Sequence, residues 1–144
     1  MSFTVDANVL LYASDESSRF HDPADAFLRD LAAGPDIAYV FWPTVMAYLR
    51  IATHPTVFSD PLTSEEAVAN VEGLLALSHV RTAGEQDRFW QLFVDASTPA
   101  RARGNLVPDA HVVALMLENG VRTIWTHDRD FRRFGAINVS DPFA

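Results

Sequence analysis

Apolar positions along the chain fall into two rhythms, one of strand length and one of helical spacing. Phe3 to Asp6, Ile37 to Phe41, Val121 to Thr126 and Ile137 to Val139 are short runs rich in β-branched and aromatic residues, and each reads as a strand. Ile37 to Phe41 is apolar throughout, as expected of a strand covered on both faces. Val9 to Tyr12, the stripe Phe27, Leu28 and Leu31, the segment from Pro43 to about Thr53, Ala67 to Leu75, Phe89 to Val94 and Val112 to Leu117 keep the three- and four-residue spacing of helices. Punctuation agrees with the rhythm. Asp22 reads as an N-cap with Pro23 in the first turn, Gly34-Pro35 closes that helix, and Asp60-Pro61 is a turn. Thr63 with Glu66, and Thr82 with Glu85, have capping-box spacing. Ser97 to Leu106 reads as a loop, Pro108 suits a first helical turn, and Gly120 suits a left-handed stop. Strands and helices alternate without repeats, low-complexity tracts or a linker. The expected fold class is therefore α/β, a parallel sheet with helices on both faces, in one domain spanning 1–144.

Composition narrows the possible chemistry. The chain has no cysteine, so disulfides and thiolate catalysis are excluded. No apolar run approaches the length of a membrane span, and the start Met-Ser-Phe-Thr-Val-Asp has neither a basic leader nor an apolar signal core. A cytoplasmic protein with no membrane partner is the expectation. A net charge of −8 argues against broad electrostatic adhesion to polyanions, so a phosphate-bearing substrate has to be held by local basic residues or by metal ions. Serine-hydrolase, P-loop, dinucleotide and zinc-hydrolase motifs are all missing. His111 and His127 are expected to pack or to face solvent.

Carboxylates are the remaining candidates. Asp6 ends the first strand, Asp109 stands at a helix start, and Asp128 and Asp130 follow the strand Val121 to Thr126. Each alone has an ordinary use as a cap or a dipole partner; Asp128, for instance, can cap the turn Arg129 to Phe134. Together they fall at the carboxyl edge of one parallel sheet, where ligands of open α/β folds bind. Crowded carboxylates call for a hard divalent cation, and an all-oxygen set favours Mg²⁺ or Mn²⁺ over Zn²⁺. Arg101, Arg103, Arg129, Arg132 and Arg133 lie beside these acids in sequence and can neutralise phosphates, or simply form a solvated face.

The ordered set F-T-V-D-A-N-V-L-L-Y-A, L-R-I-A-T-H-P, V-P-D-A-H and T-H-D-R-D-F resembles the PIN-domain family, and within it the VapC-type toxins of bacterial toxin–antitoxin pairs. The resemblance covers almost the whole chain. It implies a single PIN-like domain and makes Asp6, Asp109 and Asp128 the first, third and fourth metal-binding acids, with Asp130 an additional acid and Asn8 and Thr126 the small polar residues that steady the site. It further implies a Mg²⁺-dependent endoribonuclease whose partners are RNA and a small cognate antitoxin occupying the active-site groove, with a homodimer as the expected assembly. One departure stands out: the usual second acid, a glutamate, falls on Ala47. Arg101 and Arg103, next to Asp109, are the candidate substrate-binding cations.

Three readings follow. The first is metal-assisted phosphodiester hydrolysis of RNA by Asp6, Asp109 and Asp128. The second is a PIN-like module that binds RNA or an antitoxin but cuts weakly because the acid set is incomplete. A phosphatase with Asp6 as nucleophile is the third, and it expects an acid where this chain has Asn8.

Overall fold

The computed structural model describes residues 1–144. Five strands, β1 (Ser2–Val5), β2 (Ile37–Phe41), β3 (Val80–Ala83), β4 (Thr123–Trp125) and β5 (Asn138–Ser140), form one sheet in the order β3-β2-β1-β4-β5. Every pairing is parallel. Six helices connect them: α1 (Ala7–Ser14), α2 (His21–Ala33), α3 (Trp42–Ala52), α4 (Ser64–Leu75), α5 (Phe89–Ala100) and α6 (Leu106–Glu118), followed by a 3-10 turn at Arg129–Arg133. No helix is long and apolar enough to cross a membrane.

The two-residue period of a strand explains how the sheet is covered on both faces. In β2, Ala38 and Val40 point into a core shared with α2, α3 and α4, whereas Tyr39 and Phe41 point into the opposite core beneath α5 and α6. The strand is thus sandwiched, although its first residue, Ile37, is open to solvent. Helix α6 is the most deeply set, with Ala114 wholly buried and Val113, Leu115 and Met116 wholly buried in one cluster with Ile124 and Phe131. Burying a large apolar side chain of this kind is worth about 1.5–3 kcal/mol. Gly120, at φ 69°, turns the chain out of α6 as a left-handed stop.

Register aligns the functional edge. Thr4 lies opposite Ile124 and Val5 opposite Trp125, and the Asp6 amide donates to the Trp125 carbonyl at 3.0 Å. The residues just past β1 and β4 therefore stand side by side.

Several local expectations change. Helix α2 begins at His21, one residue before Asp22, because the Ala24 amide donates to the Phe20 carbonyl; Asp22 lies in the first turn as a dipole partner and makes no cap hydrogen bond. The capping box at Thr63 and Glu66 forms, with bonds of 3.1 and 3.0 Å. The one expected at Thr82 and Glu85 does not, since Thr82 belongs to β3, paired in register with Val40. The segment leading into α5 is held from a distance instead: the Glu118 carboxylate on α6 accepts from the amides of Gln86 and Arg88 at 2.9 and 3.0 Å, although no side chain caps the helix itself. The supposed loop from Ser97 is helical as far as Ala100. Pro99 fits there because its missing N–H deprives only the carbonyl of the exposed Asp95.

Candidate active site

Asp6 caps α1. Its Oδ1 accepts from the Ala7 amide at 2.7 Å, and its Oδ2 accepts from the Thr126 hydroxyl at 2.7 Å. Thr126 is 1% exposed, and its Oγ1 also accepts from Asn8 Nδ2 at 3.3 Å and from the Asp128 amide at 2.9 Å. One hydroxyl thereby fixes three residues of the sheet edge. Asp128 in turn caps the 3-10 turn, its Oδ1 accepting from the Asp130 amide at 2.9 Å. Asp109, in the first turn of α6, faces this group, and one carboxylate oxygen from each of Asp109, Asp128 and Asp130 falls within a 4.8 Å cluster. Asp6 stands outside that cluster but lines the same cleft of about 270 Å³, along with Asn8, Ala47, Asp109, His111 and Asp128.

A larger cavity, about 350 Å³, lies between α1, α2, α3 and α4, lined by apolar residues with Tyr48, Glu16 and His21 among them. It holds none of the clustered acids. The smaller cleft, which holds Asp6, Asp109 and Asp128, is the candidate site.

Crowding dominates the electrostatics. Burial, followed by the charges of Asp128, Asp6 and Asp130, raises the Asp109 carboxyl to about 7. Asp6 is also raised by burial and by Asp128, against the lowering effect of its Thr126 and Ala7 hydrogen bonds. No arginine forms an ion pair with any of these four acids. The buried Oδ1 of Asn8, which also lines the cleft, has no hydrogen-bond partner. An uncompensated set of carboxylates beside a bare amide oxygen is the donor chemistry of a hard divalent cation, so the residues fit such an ion.

The family model of the PIN domain matches residues 3–137. This chain belongs to the PIN-domain family. Within that family it groups with the VapC ribonucleases: it is 47% identical over 144 residues to Ribonuclease VapC48 of Mycobacterium tuberculosis, covering 100% of this chain and 99% of the relative. It is 33% identical to Ribonuclease VapC37 of the same species over 96% of this chain and 95% of the relative. Among solved structures it shares its fold with FitAcB from Neisseria gonorrhoeae, at a TM-score of 0.70 and 16% identity, covering 99% of each chain. A second is VapC20 of Mycobacterium tuberculosis, described as a sarcin-ricin loop cleaving toxin, at a TM-score of 0.68 and 19% identity over 95% of this chain and 98% of that one.

On this PIN-domain frame the structure brings Asp6, Asn8, Asp109, Thr126, Asp128 and Asp130 to one edge, and it places Ala47 on the cleft wall. Arg101 and Arg103 are exposed on the segment leading into α6 and do not line the cleft. Arg101 ends α5 in a left-handed conformation, φ 52°. His111 packs edge-on against Phe89, as expected, and in addition lines the cleft, with Nε2 hydrogen-bonded to Glu85 at 2.5 Å. Its position two residues after Asp109 in a helix start was the only sequence signal for this. His127 packs as well, bonded to Asp141 at 2.9 Å inside an aromatic group with Tyr12, Phe20 and Phe143.

The Thr126 hub yields a direct test. Thr126→Val keeps the shape and removes the hydroxyl, leaving the half-buried Asp6 one partner short. A hydrogen bond to a charged group is worth about 1.5–3 kcal/mol, and thermal or urea denaturation of the metal-free protein should register a loss of that order. Unchanged stability would show that Asp6 is satisfied without Thr126.

Proposed function

We propose that this chain acts, as a single domain in the cytoplasm, as a metal-dependent endoribonuclease toxin that hydrolyses RNA phosphodiester bonds. The observation that carries this reading is the cluster of Asp109, Asp128 and Asp130 within 4.8 Å, with Asp109 and Asp128 in the cleft that Asp6 also lines and Asp130 exposed at its side. Asp109, Asp128 and Asp130 would hold Mg²⁺, or Mn²⁺ in its place, with Asp6 contributing through its Thr126-anchored carboxylate. When bound, the ion supplies Lewis acidity and offsets charge building on the scissile phosphate. The protein's own part is positional. Thr126 holds Asp6 and the Asp128 backbone at fixed separation, and α6 presents Asp109 across from them. Arg101 and Arg103, unpaired and exposed, steer the single-stranded phosphate backbone toward the cleft mouth.

The VapC relationship supports a small cognate antitoxin as protein partner. A second copy of the chain is the assembly partner proposed with it, and the exposed Trp42 and Met46, one turn apart on α3, are available for such a contact. The purified protein with Mg²⁺ or Mn²⁺ should cut RNA and spare double-stranded DNA, and both excess EDTA and Asp6→Ala should stop the cutting. Cleavage that survives EDTA would sink the metal reading. RNA that is bound with Mg²⁺ but left intact would favour the weakened binding module, the reading that the methyl group of Ala47 on the cleft wall supports.

A further inference from the structure

Trp42 opens α3 with no loop after β2, because Phe41, the last residue of the strand, itself precedes the helix in extended conformation. Its ring is therefore held at the carboxyl edge of the sheet, where ligands of open α/β folds bind. β2 lies between β1 and β3, and carrying the register of Thr4 opposite Tyr39 two residues onward sets Asp6 beside Phe41. On the other side Phe41 pairs with Ala83, so Trp42 comes level with Gly84. A Cβ on Gly84 would stand 3.3 Å from Trp42 Cδ1, so the indole edge rests in space that a larger residue there would crowd. The residues around the ring belong to the cleft: Pro43 and Thr44 line it, and Glu85, next after Gly84, is bonded to the cleft residue His111. Yet the indole is 42% exposed. Of the three tryptophans, Trp90 stacks on Phe93 and Trp125 packs on Phe27, whereas Trp42 has no aromatic partner.

An acidic cleft repels a polyanion, so RNA has to be held partly through groups other than its phosphates. An indole attracts a base whatever the charge around it, and the contact tolerates any sequence because every base has a π face. Bases in a duplex are already stacked on one another, whereas those of a single strand can be splayed onto an aromatic ring. We infer that Trp42 is a substrate-binding residue whose indole stacks on an unpaired base of RNA lying across the cleft, so that the site prefers single strands to duplex. This rests on the ribonuclease reading above and adds to it the residue that holds a base. A second copy of the chain is the competing occupant of the ring. Position favours the substrate, since β2 runs one strand spacing, about 4.8 Å, from the strand that ends in Asp6.

The test is equilibrium binding by fluorescence anisotropy, with a short dye-labelled mixed-sequence single-stranded RNA and the duplex made from it. Ca²⁺ serves as the oxygen-seeking ion, and a gel confirms that the RNA stays intact. Trp42→Ala should lose about five- to hundredfold in single-strand affinity, the worth of one stacked base, with duplex affinity unchanged. Trp42→Phe keeps a ring and should keep most of the affinity, while the quenching of tryptophan emission by unlabelled RNA should largely vanish. That quenching provides the readout if Trp42→Ala folds poorly. Met46→Ala, one turn along α3, controls for a second copy and should leave RNA affinity unchanged. Three results would overturn the inference while leaving RNA cleavage by the unmodified protein intact: single-strand affinity unchanged in Trp42→Ala or lost equally on duplex, quenching undiminished in Trp42→Phe, or matching losses in Trp42→Ala and Met46→Ala with both variants dissociated in sedimentation. A wild type that binds no RNA and cuts none would instead remove the ribonuclease reading, and the inference with it.

Discussion

Asp109→Asn is expected to abolish cleavage and at the same time to make the metal-free protein more stable at neutral and alkaline pH. The first effect follows from position: Asp109 supplies α6's only oxygen to the acidic cluster. Loss of a residue merely supporting a metal ligand costs about 10–100-fold in affinity or activity, so loss of a ligand should exceed that range. The second effect follows from linkage. The Asp109 carboxyl sits at about 7 in the folded protein against 3.8 when unperturbed, so between these values the native state binds the proton more tightly than the unfolded chain does. Stability contributed by this group is fully present below the unfolded value and is lost as pH rises through about 7. Above that pH the ionised carboxylate costs on the order of 2 kcal/mol, after allowing for solvent screening at a half-open site. Asparagine carries no such charge. Melting curves across this range without divalent ions should therefore fall for the wild type and flatten for the variant, while Mg²⁺ should raise the wild type and leave the variant unmoved. Parallel wild-type and variant profiles would contradict the crowding described for the cleft.

Ala47→Glu should have the largest gain. Ala47 shares the cleft wall with Thr44 and Ile51, one turn away on either side along α3, and Asp6, Asp109 and Asp128 line the same space. A glutamate here adds a further oxygen ligand, directly or through water, and affinity at oxygen sites rises with the count of charged ligands. We expect Mg²⁺ binding to tighten about tenfold, a gain of about 1.4 kcal/mol, with a matching rise in cleavage at low Mg²⁺. Without metal the same change adds another negative charge to an already crowded cleft and lowers the melting temperature. Calorimetric titration and paired melts with and without Mg²⁺ read both effects. A loss of stability that Mg²⁺ does not restore would show that the side chain turns into the core beneath α3.

The parts of the fold legible in the sequence were those whose signals are local. Ile37 to Phe41 is apolar enough to name itself as a strand, and the Thr63–Glu66 box closes within one turn. β3 was hidden because it is an edge strand with exposed Arg81 and Thr82 and only one buried residue, Val80, so its sequence lacks the apolar run of a central strand. The tether on the approach to α5 was hidden for a different reason: Glu118 lies about thirty residues downstream of the amides it satisfies, and no local spacing records such a bond. The acids at the sheet edge were legible because strand ends and helix starts are visible in sequence and a parallel sheet gathers them. What was not legible was how the work divides among them. Both Asp6 oxygens are already engaged by Thr126 and Ala7, and Asp130 takes the third place in the close cluster. The place of His111 on the cleft was hidden because Glu85 and Phe89, which hold its ring, reach it only through the loop after β3 and the start of α5.

The bond from Thr126 to Asp6 spans 120 positions of the chain, and β1 finds β4 only after nearly all the intervening residues exist. A ribosome making this protein therefore releases Asp6 first and must complete most of the remaining synthesis before its neighbours emerge to stand beside it. Until then the nascent chain carries separate acids and no cleft. A product cut short by a frameshift or stop codon before Thr126 lacks Asp128 and Asp130 as well as the hydroxyl that anchors Asp6, so incomplete translation yields an inert fragment rather than a partly active nuclease.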